Sequence, residues 1–154
     1  MKRSGIPWAT LALLACLAGN AAADDGRWKV VKPGVMVDTF TELQWTQRDN
    51  LGGDVNWNQA KAHCAGLALD GGGWGLPTMT ELSQVYSGAQ GEISCGNYKC
   101  RAPKGFYLTG LLFWSNEREG SSEAWSFYLS HGVRDSYAVS SAPLFSRALC
   151  VRRS

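Results

Sequence analysis

The chain has 154 residues, 45% of them hydrophobic and 18% charged, which suits one domain with its own core. Fifteen Lys and Arg stand against 13 Asp and Glu, and the formal charge of +2 is too small for a nucleic-acid footprint.

Residues 1–23 read as a cleaved export signal. Lys2 and Arg3 are its basic start, Ile6–Leu17 its apolar stretch, and Ala21-Ala22-Ala23 its small-residue cleavage site. The apolar stretch is shorter than the roughly 20 residues that cross a bilayer, so no transmembrane segment is expected after cleavage. Leu13-Leu14-Ala15-Cys16 resembles a lipobox, and a lipid anchor on Cys16 is the lesser alternative. Cleavage after Ala23 leaves 131 residues with 13 basic and 13 acidic side chains. The net charge is then zero, and the basic character of the whole chain belongs partly to its signal. The expected location is periplasmic or secreted.

Residues 24–34 form a polar leader, interrupted by Trp28, Val30 and Val31, that is either a short strand or an ordered lead-in. The domain proper is expected over 35–154. Val35, Val37, Leu43 and Trp45 alternate at period two around the turn Asp38–Glu42, which predicts a hairpin. Thr46–Val55 is rich in turn formers and reads as a connecting loop first, with a binding loop as the lesser alternative. Two short helices follow. Trp57, Ala60, Cys64 and Leu67 make the apolar stripe of the first, with Asn56 as N-cap and Gln59 as its capping-box partner. The second opens on Thr78 as N-cap with Glu81 three residues on, and Leu82 and Val85 face inward. Between them lies a glycine-rich turn ending in Trp74-Gly75-Leu76-Pro77. Neither helix is long enough to stand alone in water, so each must cover a sheet.

Ser87–Lys104 reads as an irregular excursion. Phe106–Trp114 is strongly strand-like, Asn116–Ser122 a polar turn, and Ala124–Leu129 a strand broken by His131-Gly132. Val133–Val139 is a weaker strand. Leu144–Arg152 closes the domain, with Leu149 and Val151 on one face and Cys150 on the other. The fold class is α+β: two short helices packed on short antiparallel strands and braced by disulfides.

Without Cys16, four cysteines remain, and they allow three pairings. Cys95 and Cys100 enclose a turn-like loop that a local bridge would staple. A bridge from Cys64 to Cys150 would tie the middle of the domain to its end, and this pair of bridges is the favoured arrangement. Zinc on four thiolates is the rival, but the spacing lacks the paired C-x2-C pattern of structural zinc sites. An oxidising compartment favours disulfides.

In order, these residues resemble a known family. Its members read D-x-x-T-G-L-x-W, then W-x-x-A-x-x-Y-C-x-x-L, then G-x-x-x-W-R-L-P-T-x-x-E-L, then W-S-[ST], and finally R-C-V-R. The matching residues are Asp38, Leu43 and Trp45; then Trp57, Ala60, Cys64 and Leu67; then Trp74, Leu76, Pro77, Thr78, Glu81 and Leu82. Trp114-Ser115 and Cys150-Val151-Arg152 complete the set. The chain is thus similar, over about residues 35–153, to the DUF1566 domain, the C-terminal domain of the Legionella collagen-like adhesin. The resemblance implies a C-type-lectin-like fold related to the sulfatase-modifying-factor group, and it implies the Cys64–Cys150 bridge. It places Trp45, Trp57, Trp74, Leu76, Leu82 and Trp114 in the core. Three positions depart from the pattern: Gly75 and Leu149 stand where arginines are usual, and His63 where an aromatic is usual.

The chemistry-bearing patterns are sparse. The calcium motifs of sugar-binding C-type lectins are missing, and Trp114-Ser115-Asn116-Glu117 has only a superficial likeness to one. No nucleophile elbow, paired-carboxylate or H-E-x-x-H pattern is present. No catalytic residue, metal or cofactor is assigned. His63 and His131 read as surface or packed histidines. The expected role is a non-enzymatic binding module of the cell envelope whose partner is a protein or a glycan. An inhibitor or immunity-type protein against an envelope-targeted enzyme is the alternative, with an enzyme of unrecognised type behind it. The expected contact surface joins the excursion, through Tyr98, Lys99 and Arg101, to the turn with Asn116, Glu117 and Arg118. Arg147, Arg152 and Arg153 form a small basic cluster, either solvated surface or an anion patch. The oligomeric state is left open.

Overall fold

The computed structural model describes residues 26–153. The signal segment 1–23 and Cys16 lie outside the described residues. Two four-stranded sheets and a hairpin surround two helices. The first sheet has the order β1 (Trp28–Lys32), β2 (Val35–Asp38), β3 (Gln44–Thr46) and β10 (Val151–Arg152), all antiparallel. The second has the order β8 (Val133–Ala138), β7 (Glu123–Tyr128), β6 (Leu112–Glu119) and β9 (Ser146–Arg147). The β6–β9 pair is parallel, which corrects the expectation of antiparallel strands throughout.

The helices α1 (Trp57–Gly66) and α2 (Met79–Ser87) start for local reasons. Asn56 and Thr78 are N-caps, and each closes a full capping box with Gln59 or Glu81. Glu117 adds a second acceptor at α2, taking the Met79 amide proton at 2.5 Å. Trp57, Ala60 and Cys64 of α1 are buried against Trp74, Leu76 and Trp114, while Leu82 and Val85 of α2 join the other half of the core with Met36, Trp45, Phe113 and Leu149. The buried side chains include Trp45, Trp57, Trp74, Leu76, Leu82 and Trp114.

Three indole N–H groups tie these layers together. Trp57 donates to the Ser115 carbonyl, Trp114 to the Val55 carbonyl and Trp74 to the Leu69 carbonyl, each at 2.8 Å. Cys64 and Cys150 are bonded, with Cα atoms 5.5 Å apart, and Cys95 is bonded to Cys100. The thiolates that a zinc site would need are therefore consumed.

Several sequence-based boundaries need correction. The leader contributes β1, whose backbone pairs with β2. Strand β2 buries neighbours on both faces, Val35 in one half of the core and Met36 in the other, so the simple alternation through Val37 fails. The excursion Ser87–Lys104 contains a regular hairpin, β4 (Glu92–Cys95) with β5 (Tyr98–Arg101). In Phe106–Trp114 only the last three residues belong to a strand, and β6 then runs on through Asn116–Glu119. The turn is confined to 120–122. The closing segment is two strands in two different sheets, with Leu149 and Val151 in one half of the core and Cys150 in the other.

Candidate functional site

Three loops and a hairpin tip meet at one end of the molecule. They are residues 47–55, 105–110 and 140–146 and the β4–β5 tip. Asp49 holds the first two together. Its buried carboxylate accepts from the Thr109 amide at 2.6 Å, the Thr109 hydroxyl at 2.8 Å, the Gly110 amide at 3.3 Å and the Leu51 amide at 3.0 Å. Arg147, also buried, donates from Nε to the Thr109 hydroxyl at 2.9 Å and pairs through Nη1 with Asp54 at 2.7 Å. Asp54 in turn accepts from the Phe145 amide at 2.8 Å, and Tyr98 meets the Phe145 ring edge-on with centroids 4.9 Å apart. The loop 47–55, whose composition favours a simple connection over a binding loop, is thus the anchor of this end.

Gly110 is obligatory here. A Cβ at that position would lie on Arg147 Cγ and 2.5 Å from the Phe145 carbonyl. Above this polar layer stand exposed apolar side chains: Tyr107 at 58%, Leu51 and Tyr98 at 49%, and Leu144 at 75% relative exposure. The Arg48 guanidinium lies over the Tyr107 ring, 5.3 Å from its centroid. Rigid backbone beneath exposed aromatic and aliphatic side chains is what recognition surfaces use, because little entropy is lost on docking.

The expected contact residues do not converge on one surface. Tyr98 and the exposed Lys99 belong to this end. Arg101 turns inward, with its guanidinium over Tyr86 and toward the Ala89 carbonyl. Asn116, Glu117 and Arg118 lie toward the other end of β6. At 3.3 Å per residue that strand places its tip about 20 Å from Leu112, which bonds to Phe145. Glu117 is engaged by the Met79 amide in the first turn of α2. Arg118 covers the Trp57 ring and bonds the Ser121 carbonyl.

The basic cluster is also dispersed. Arg147 is buried with Asp54. Arg152 forks onto Gln44 Oε1, Asp70 and the Asp70 and Gly72 carbonyls, over the Trp74 ring at 4.4 Å. Arg153 pairs with Glu81. The three therefore form neither one solvated cluster nor one anion patch: each arginine pairs with a different carboxylate, and of the three Arg153 stays exposed. The Asp70 carboxyl is held below the usual range by the Arg152 and Lys32 hydrogen bonds. Gly75 exchanges two 2.9 Å backbone hydrogen bonds with Val151, and a Cβ there would meet open space.

The residues that sequence reasoning missed are Asp49, Asp54, Thr109, Arg48, Leu51 and Leu144. Only Asp49 carried a local signal, an aspartate two residues before a turn that its own side chain closes. The links of this layer join positions about 40 to 90 apart in the chain.

Among the described residues no group of three or more His, Cys, Asp or Glu side chains is gathered for a metal, and no helix is long and apolar enough to cross a membrane. A comparison with curated proteins finds no match. The family model described as the Lcl C-terminal domain matches residues 34–152, from the turn before β2 to the end of β10. With most of its length covered, the chain belongs to the Lcl C-terminal domain family.

Proposed function

We propose that the protein is an exported, non-enzymatic binding module of the cell envelope and that it recognises a protein partner through the loop end around Tyr107, Leu51, Tyr98 and Leu144. The observation that carries this is the braced layer Asp49–Thr109–Arg147–Asp54 beneath those exposed side chains. Leucines set among tyrosines suit an apolar protein surface, and a pre-organised layer keeps the cost of ordering low. Export is supported by the two disulfides and by the basic, apolar and alanine-rich order of residues 1–23. A C-type-lectin-like identity for the fold is part of the same reading, supported by first and last strands that share one sheet.

The test is a crosslinking capture from envelope extract, run beside a polysaccharide array. The expected result is one protein at stoichiometric yield, lost when Tyr107→Ser and Tyr98→Ser are combined and kept when residues 120–122 are replaced. If the captured protein is an enzyme that the module slows, the role narrows to an inhibitor. Array binding that the same double substitution abolishes would turn the reading to a glycan. Undiminished capture by the double variant would remove the loop end from consideration.

A further inference from the structure

Beside the loop end lies a cleft of about 290 Å³, between the C-terminal half of α1 and the 47–55 loop. That volume is at the lower edge of small-molecule pockets. Its apolar wall is Leu51, Leu67 and Leu69. Arg48 and His63 also line it, with Asn50, whose side-chain amide is spent on the Gly53 carbonyl and the Ala148 amide. Asp49 lines it as well, but its oxygens are occupied by Thr109, Gly110 and Leu51. Among the described residues Arg48 makes no ion pair. Its guanidinium lies over Tyr107, which leaves its N–H edge able to donate.

A second observation is independent of the cavity. Leu51 has φ +54°, in the left-handed region where a bulky L residue is an outlier. The Asp49 carboxylate holds it there through the Leu51 amide, and the Gly52 amide bonds the Asn50 carbonyl at 2.6 Å. Glycine would satisfy this backbone without strain. The leucine keeps an apolar side chain at the mouth of the cleft, half exposed to water. Strain held in place at a cavity mouth is a mark of a site rather than of packing.

We infer that this cleft binds a small anionic amphiphile, with its apolar tail along Leu51, Leu67 and Leu69 and its carboxylate on Arg48. Arg48 sets the polarity of the ligand, because a guanidinium prefers a planar carboxylate. This inference does not depend on the protein-partner reading.

Octanoate, octanol and octyltrimethylammonium share one tail and differ in head charge. Each is titrated into the disulfide-intact 15N-labelled protein. Octanoate is expected to give saturable shifts at residues 48–51, 63, 67 and 69, at least tenfold tighter than octanol, with no saturation by the ammonium. Arg48→Gln should remove the preference of octanoate over octanol. Leu51→Gly, which suits the backbone and leaves the fold intact, should weaken octanoate at least tenfold. Equal binding of the anion and the cation, octanoate shifts scattered away from the cleft, or unchanged binding in Leu51→Gly would each overturn the proposal. Failure of the unaltered protein to capture any protein, with octanoate binding intact, would fault only the protein-partner reading.

Discussion

Trp57 shows how much one side chain carries. Its ring fills the space between α1 and β6, its Nε1 donates to the Ser115 carbonyl, and Lys61 and Arg118 cover its faces at 4.3 and 5.2 Å. Trp57→Ala is expected to cost about 3–5 kcal/mol, as aromatic core truncations do. Trp57→Phe keeps much of the packing and strands the carbonyl, for about 1 kcal/mol. Urea unfolding separates the two, and a loss below about 1 kcal/mol for the alanine variant would contradict this placement. Glu42 offers the opposite sign. It has φ +62° at the position where the family pattern has glycine. A left-handed L residue costs about 1–2 kcal/mol, while the glycine gives back about 0.4–1 kcal/mol through its freer unfolded chain. Glu42→Gly should therefore raise the urea midpoint, by up to about 1 kcal/mol of stability.

At the scale of elements, the loops are held by buried polar links rather than by their own apolar content. Asp49 joins the loop after β3 to the segment before β6, and Arg147 of β9 joins that segment to Asp54. Asp49→Ala would leave the Thr109 and Gly110 amides buried without acceptors, at about 1–3 kcal/mol for each unsatisfied group. The expected outcome is a loss of at least about 2 kcal/mol, with amide exchange accelerated at Thr109 and Gly110 well before α2 exchanges. Uniform acceleration across the domain would show that the loops are not a separate unit. The hairpin β4–β5 is ordered in a similar way. Its outer positions are exposed, and it is held by Cys95–Cys100 and by the Gly96 amide on the Leu108 carbonyl at 3.1 Å. That is why it lacks the apolar alternation by which strands are recognised.

At the scale of the molecule, β1 and β10 lie in one sheet, and Cys64–Cys150 spans 86 residues of chain. A closed loop of that length is worth about 4–5 kcal/mol in the chain-entropy model. Replacing both cysteines by alanine should lower stability by about that amount, read as a urea midpoint shift. Acid should act on the same sheet. Burial works to raise the Asp38 carboxyl, but the Arg27 fork at 2.6 and 2.7 Å, the Phe40 amide and the Thr41 hydroxyl outweigh it and hold the carboxyl below its ordinary value. The unfolded chain then binds the proton more readily than the folded one. The contribution is fully present above about pH 5 and is lost as pH falls below about 4. Asp38→Asn should lower stability at neutral pH and flatten the acid limb of the stability profile. An unchanged acid limb would assign the loss to other carboxylates.

The sequence by itself determined what depends on neighbours along the chain. Both capping boxes, the inward stripe from Trp57 to Cys64, the hairpin across Asp38–Glu42 and the alternation Leu149–Cys150–Val151 rest on contacts within a few residues, and each is legible from residue type and spacing. The ordered motifs also identified the family. Only the tertiary structure decided where polar residues go. Nothing local marks Arg147 as buried, because its burial is made tolerable by Asp54, a carboxylate 93 positions away. The polar run Asn116–Glu119 looks like a turn, yet it is strand: β7 pairs with Arg118 and Glu119, the Pro77 carbonyl accepts from the Asn116 amide and the Ser115 hydroxyl from the Glu117 amide, while the side chains face water or a helix end. Phe106–Trp114 looks like one strand, yet Gly110 passes so close to Arg147 and Phe145 that the chain must bend there. The candidate site is built from such long-range links, and a one-dimensional pattern of polarity carries no information about which distant charge will meet which.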